Sequence, residues 1–283
     1  MAKKKTSNPP EKSGKNEFSY SLEDYMQFVK EEILDKMDES YLNVLEQSQL
    51  FVNEEENRGY DDKDYPLGLE LPRKKFIGKP QHEFHIRIKL NQAPVKIWRE
   101  LVVPSNITLE LLAFVLIDAM GWGHEHLYQF VGKNKVYYVN SRQMKAEADS
   151  FMAFFSRAHY QNSEETSLEM VLQPKGERLK FEYDFGDSWT HDLWVKGSRD
   201  YEPDEEPIIK LIKARGECPP EDCGGVWGYA QLLELNKKKR KTAEEKERLE
   251  WYLIPKDFDP EACDLKWLQG YVEELWETIR SEM

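Results

Sequence analysis

From Phe84 to Val103 apolar side chains fall on every second position, and this alternation restricts what the chain can fold into more than any other feature. Phe84, Ile86, Ile88 and Leu90 alternate with His85, Arg87 and Lys89. Beyond Asn91-Gln92-Ala93-Pro94 the same spacing continues through Val95, Ile97, Arg99, Leu101 and Val103. Period two describes strands with one buried face, and the break between the two runs predicts a hairpin. The period then changes. Pro104-Ser105-Asn106-Ile107-Thr108 is a helix start, because Thr108 can cap free amides and Ile107 can staple onto the first turn. Leu111, Leu112, Val115, Leu116 and Ala119 form a buried stripe that stops before Gly121-Trp122-Gly123. His124 to Val131 returns to period two, Gly132-Lys133-Asn134 makes a loop, and Lys135 to Val139 a return strand. Hairpin, helix and further strands are the order of a grasp-like α+β layer, a mixed or antiparallel sheet with one face under a helix.

Further along, Leu179, Phe181 and Tyr183 lead into a tight turn at Gly186-Asp187, after which Trp189, His191, Leu193 and Val195 share one strand face. Ile208 to Ala214 reads as a last strand, and Trp227 to Leu235, Thr242 to Tyr252 and Leu265 to Ile279 as peripheral helices. Phe151, Met152, Phe154 and Phe155 suggest a buried helical turn, and Asn162 to Thr166 an exposed loop. Ahead of the alternating run, residues 1–16 have the composition of a disordered arm, and residues 17–64 form an accessory helical extension with Leu22, Tyr25, Met26, Val29 and Ile33 at helical spacing. Residues 65–80, broken by Pro66, Pro72 and Gly68, read as a linker to a main domain over 81–283.

Charge bears on partners. With 53 acidic and 40 basic side chains the chain carries −13, which repels phosphate backbones over the molecule as a whole. Nucleic acid then needs a local basic patch, such as Lys237-Lys238-Lys239-Arg240-Lys241 or the lysines of the N-terminal arm. Three cysteines make no disulfide framework, and no apolar run approaches the roughly 20 residues that span a bilayer, so a cytoplasmic location without membrane contact is expected.

Two stretches hold residues that a plain core does not require. One is Tyr183 to His191; the other is Cys218-Pro219-Pro220-Glu221-Asp222-Cys223-Gly224-Gly225. Asp184, Asp187, Trp189, His191, Glu221 and Asp222 are the candidate binding residues. Asp184-Phe185-Gly186 copies the magnesium-binding triplet of protein kinases, but the glycine-rich loop and catalytic-loop signature that would accompany it are missing. Cys218 and Cys223 could give zinc two thiolates, completed by His126, His191 or His124, yet no second close cysteine pair accompanies them, and no cofactor is the expectation. His124 and His126, two apart at a strand start, could share a metal. A metal-dependent hydrolase or nuclease using His126, His191, Asp184 and Asp222 is the alternative to a non-enzymatic module binding a protein or nucleic-acid partner.

These motifs, with Ile97-Trp98-Arg99, Met120-Gly121-Trp122, His126-Leu127-Tyr128-Gln129-Phe130 and Gly228-Tyr229, resemble the family named after the third open reading frame of an Ri-type plasmid. That family includes a resolvase-like passenger protein of an insertion element. The resemblance covers residues 82–270 and implies a compact α+β domain in a mobile-element or plasmid-associated setting, with no catalytic pattern to carry over.

Overall fold

The computed structural model describes residues 71–144, 159–174, 176–202 and 204–283. The chain divides into two units, Met1–Asp62 and Lys63–Met283, and every described residue belongs to the second. The expected N-terminal arm and accessory helices, and the turn at Phe151 to Phe155, lie outside the described residues.

Eight strands form one sheet: β1 (His82–Leu90), β2 (Trp98–Pro104), β3 (Tyr128–Val131), β4 (Val136–Val139), β5 (His159–Asn162), β6 (Leu179–Tyr183), β7 (Trp189–Asp200) and β8 (Lys210–Arg215). Their order is β5-β4-β3-β6-β7-β1-β2-β8. All neighbours are antiparallel except β4 and β5, so the sheet is mixed and the fold is α+β. Phe84, Ile86, Ile88 and Leu90 are buried, as are Leu101, Val103, Leu193 and Val195 on the paired strands. The alternation of the sequence thus marks one dry face.

On that face lies α1 (Leu109–Met120), capped by the Thr108 side chain, which accepts the Leu111 amide. The expected stripe is too narrow: all 12 residues of the helix are buried. The reason is further cover: α5 (Leu265–Ser281) packs against α1 and β8, and the Ser163–Glu165 turn packs on α1 as well. Glu110 is therefore buried and takes a hydrogen bond from Ser163, while buried Asp118 meets His124 at 2.7 Å. α1 ends at Gly121 in the left-handed region (φ 92), and a Cβ there would crowd Leu268 and Trp267 at 3.1 and 3.2 Å. Further helices are α2 (Leu168–Val171), α3 (Gly225–Lys237) and α4 (Ala243–Trp251), the last opened by a Thr242–Glu245 capping box.

Three expectations are corrected. The strand expected from His124 begins only at Tyr128, because His124 sits at φ 63, outside extended geometry. The loop from Asn162 to Thr166 is not exposed throughout: Ser163 is fully buried against Glu110. The stretch read as a linker is, from Lys74 to Gly78, bonded into the main unit, with Lys74, Lys75 and Gly78 carbonyls accepting from Thr108 and Asn106.

Candidate functional site

The turn between β6 and β7 and the cysteine loop before α3 converge, and the contact is backbone on backbone. Gly224 stands at the N-cap of α3 with φ 90, a conformation that favours glycine, and glycine brings no capping side chain. Asp187 supplies one from the other strand pair: its two carboxylate oxygens accept the Gly224 amide at 3.2 and 3.1 Å. A carboxylate at a helix N-terminus also opposes the positive end of the helix dipole. The next residue, Gly225, lies so close that a Cβ would stand 2.5 Å from the Asp187 carbonyl oxygen, and a Cβ on Gly228 would stand 1.7 Å from that of Cys223. Only glycine at these positions lets α3 start against the turn.

The turn itself is held by Asp184, which adopts φ 57 while its Oδ1 accepts the Gly186 amide at 2.8 Å and its carbonyl accepts the Ser188 amide. The loop is tied down from a third side. Trp122, just past the end of α1, donates its indole N–H to the Pro219 carbonyl at 2.9 Å and stacks on Tyr183 at 5.1 Å. Glu221 accepts from the Tyr183 hydroxyl at 2.5 Å and from the Gly123 amide at 2.9 Å. Burial and the adjoining Glu221 carboxylate push the Tyr183 hydroxyl far above the usual phenol range, so it remains a donor.

At the rim, His126 Nε2 lies 3.4 Å from Asp222 Oδ1 and 3.8 Å from Asp184 Oδ2. Ligand atoms of Glu125, His126 and Asp222 all fall within 4.8 Å of one another, a spacing that one divalent ion can bridge. Among the described residues this is the one such group, and neither cysteine belongs to it. Cys223 is buried beside the Gly225 carbonyl, and Cys218 receives a hydrogen bond from the Arg99 guanidinium at 3.4 Å. Burial pushes both thiols up to about 12, so they are neutral packing groups at ordinary pH.

The candidate residues therefore divide. Asp184 and Asp222 converge on His126, while Asp187 and Glu221 tie the turn and the loop to Gly224, Tyr183 and Gly123. Trp189 and His191 lie beneath them, fully buried. The rings of Tyr183 and Trp122 stand between His126 and His191, at 5.8, 5.1 and 5.6 Å from centroid to centroid along that series. His191 Nδ1–H donates to the Phe181 carbonyl, and burial lowers the imidazole to about 4, so it is neutral. His124 turns away to Asp118, so the two imidazoles do not share a ligand position.

Sequence reasoning missed Arg99 and the apolar rim. Arg99 is 1% exposed and donates to the carbonyls of Ala119, Trp98, Arg215 and Gly216 at 2.7 to 3.1 Å. It thereby joins the end of α1 to the start of the cysteine loop. Its place in an otherwise apolar register was the available signal. The rim carries Leu127, Phe185, Trp227, Trp251 and Leu253, all exposed, with Trp227 at 82%. Each is tied to the site by a neighbour: Leu127 accepts the Asp184 amide, Phe185 lies in the turn, Trp227 in the first turn of α3, and Tyr252 donates to the Asp222 carbonyl. Met170, Trp267, Tyr271 and Met283 are exposed as well, on other segments, so what marks the site is that Leu127, Phe185 and Trp227 stand on the stretches that build it.

Known proteins resemble this chain. A protein of Sinorhizobium fredii described as uncharacterized protein y4hQ is 31% identical over 193 residues, which are 67% of this chain and 90% of that one. The crystal structure of a protein of unknown function, MM3350, from Methanosarcina mazei Go1 superposes with a TM-score of 0.53 at 24% identity, over 67% of this chain and 97% of the other, a likeness of fold. The model of the plasmid pRiA4b ORF-3-like protein family matches residues 82–267, which hold the whole sheet, α1 and the converging turn and loop: the chain belongs to that family.

Proposed function

We infer that the protein is a non-enzymatic interaction module, and that the end formed by the Asp184–Ser188 turn and the Cys218–Gly225 loop receives a cationic, apolar segment of a protein partner. The observation that carries this reading is the pairing of chemistries at one rigid place. Carboxylates of Glu125, Asp184 and Asp222 surround His126, and the exposed Leu127, Phe185 and Trp227 stand on the segments that build the site. Aromatic anchors beside complementary charge are what protein interfaces use for affinity and for steering. The same carboxylates repel phosphate, which favours a protein over nucleic acid here. The basic run offers less than its sequence promises: Lys237 pairs with Glu234, Lys238 with Glu245, and the Lys241 ammonium donates to the Asn236 and Lys238 carbonyls. No helix among the described residues is long and apolar enough to cross a membrane.

The test is affinity capture with the full chain, comparing wild type with the double variant Asp222→Lys, Trp227→Ala, both of whose side chains are exposed, with an unchanged urea-unfolding midpoint as the check on folding. Proteins retained by wild type, released by salt and absent from the variant support the reading. Retention of the same proteins by both forms refutes it.

A further inference from the structure

The register of the sheet places a second surface of opposite charge on the face that α1 does not cover. Directly paired residues of neighbouring strands share a face. One such row runs from Lys180 through Asp192 and Lys89 to Trp98 and Arg215, on β6, β7, β1, β2 and β8 in turn. A second runs from Trp194 through Arg87 and Glu100 to Lys213, and a third joins His85, Val102 and Lys210. None of these residues belongs to the apolar core, which is built from the alternate positions.

The charges on this face are unequal in kind. Of its carboxylates, Glu100 lies under Arg87 and Lys196, Asp192 is within 3.7 Å of Arg178, and Glu182, beyond Lys180 on β6, accepts hydrogen bonds from Gln129 and Ser188 but meets no cation among the described residues. Lys89, Lys180, Lys210 and Lys213 are exposed and enter no ion pair among the described residues. With strands about 4.8 Å apart, Lys180 and Lys89 stand about 10 Å from each other along the row, and Lys89 about as far from β8. A chain carrying −13 thus holds an excess of free cations on one flat face. Two guanidinium–indole stacks stand among them, Arg87 over Trp98 at 4.1 Å and Arg178 over Trp194 at 4.6 Å.

We propose that this open sheet face is a platform for single-stranded nucleic acid, its lysines following the phosphates and its guanidinium–indole stacks receiving unstacked bases. The charge selects a polyanion, and guanidinium planes beside indoles are surfaces on which bases stack. An acidic protein segment would use the lysines but leave the stacks idle. The surface is separate from the carboxylate-rich end, so either assignment can fail without the other.

The probe is a fluorescein-labelled oligodeoxythymidylate of about 20 nucleotides, longer than the ~4–16 nucleotides that one such platform covers. Fluorescence anisotropy with the full chain should show saturable binding at low salt. Lys89→Glu, Lys180→Glu, Lys210→Glu and Lys213→Glu together should weaken it at least about tenfold and flatten the plot of log K against log salt by about 3, as expected for four lost phosphate contacts on a single strand. The four Lys→Gln changes are the milder set should charge reversal disturb folding. Lys239→Glu with Arg240→Glu should leave binding unchanged. Absence of saturable binding, equal binding by the four-lysine variants, equal displacement by polyglutamate at matched charge, or self-association that the same substitutions dissolve would each overturn the proposal.

Discussion

Three consecutive residues of β2 show how differently the two faces of the sheet handle charge. Trp98 and Glu100 point to the open face, where Glu100 shares Arg87 and Lys196 and Trp98 lies beneath a guanidinium. Arg99 points inward, is surrounded by backbone carbonyls, and enters no ion pair among the described residues. One of those carbonyls is Ala119 at the C-terminus of α1, the negative end of a helix with no basic residue in its own last turn. Charge on the open face is held by other side chains: Glu100 is itself buried, but the Arg87 and Lys196 that cover it are part-exposed and can rearrange. Charge on the inner face is held by main chain that cannot move without moving a helix and a loop. The first suits contact with partners; the second fixes where the loop stands.

The largest expected effect sharpens that difference. Arg99→Met removes the donor from several buried carbonyls, each costing about 1–3 kcal/mol when left unpaired, and should lower stability by about 3–5 kcal/mol in urea unfolding. Arg87→Met, its counterpart outside, leaves Lys196 on Glu100 and should lose about 1 kcal/mol. Equal losses would break the comparison.

The faces should also fail in separate ranges of pH. His191 has a folded value near 4 against about 6.5 unfolded, so between those values the unfolded chain binds more protons and stability falls with falling pH, by about 2 kcal/mol at pH 5. Burial raises the Glu100 carboxyl, but hydrogen bonds and charge from Lys196 and Arg87 outweigh it and hold the folded value at about 2. Its contribution is intact above about 4.5 and is lost as pH falls toward 2. Unfolding midpoints across pH should therefore flatten in the upper range for His191→Gln and in the lower range for Glu100→Gln. A change in the other range for either variant contradicts the assignment.

The sequence was informative where structure is local. Alternation from Phe84 to Val103, the Thr108 cap and the turn at Gly186-Asp187 each depend on neighbours within a few residues, and each is present. The parallel pairing of β4 with β5 was not legible, because His159 to Asn162 is short, lies at an edge and has no apolar alternation. Nor was the depth of α1, whose Glu110 is buried against Ser163 and which is also covered by a helix about 150 residues later in the chain. For the candidate site, the glycines and prolines around Asp187 and Cys223 pointed to constrained backbone, and that constraint is what brings the two stretches together. The division between exposed Asp222 and buried His191 depends on tertiary packing, which no spacing carries. Arg99 in an apolar register was visible as an anomaly but not as a junction.

The Asp184–Ser188 turn and the Cys218–Gly225 loop form one locked unit through the Asp187 carboxylate and the start of α3. Native-state hydrogen exchange of the two segments in wild type and Asp187→Ala tests it most directly, since Asp187 holds the Gly224 amide. The account predicts that the substitution speeds exchange in residues 218–228 as well as in 184–188. Faster exchange confined to the turn, with the loop and the first turn of α3 unchanged, would contradict it.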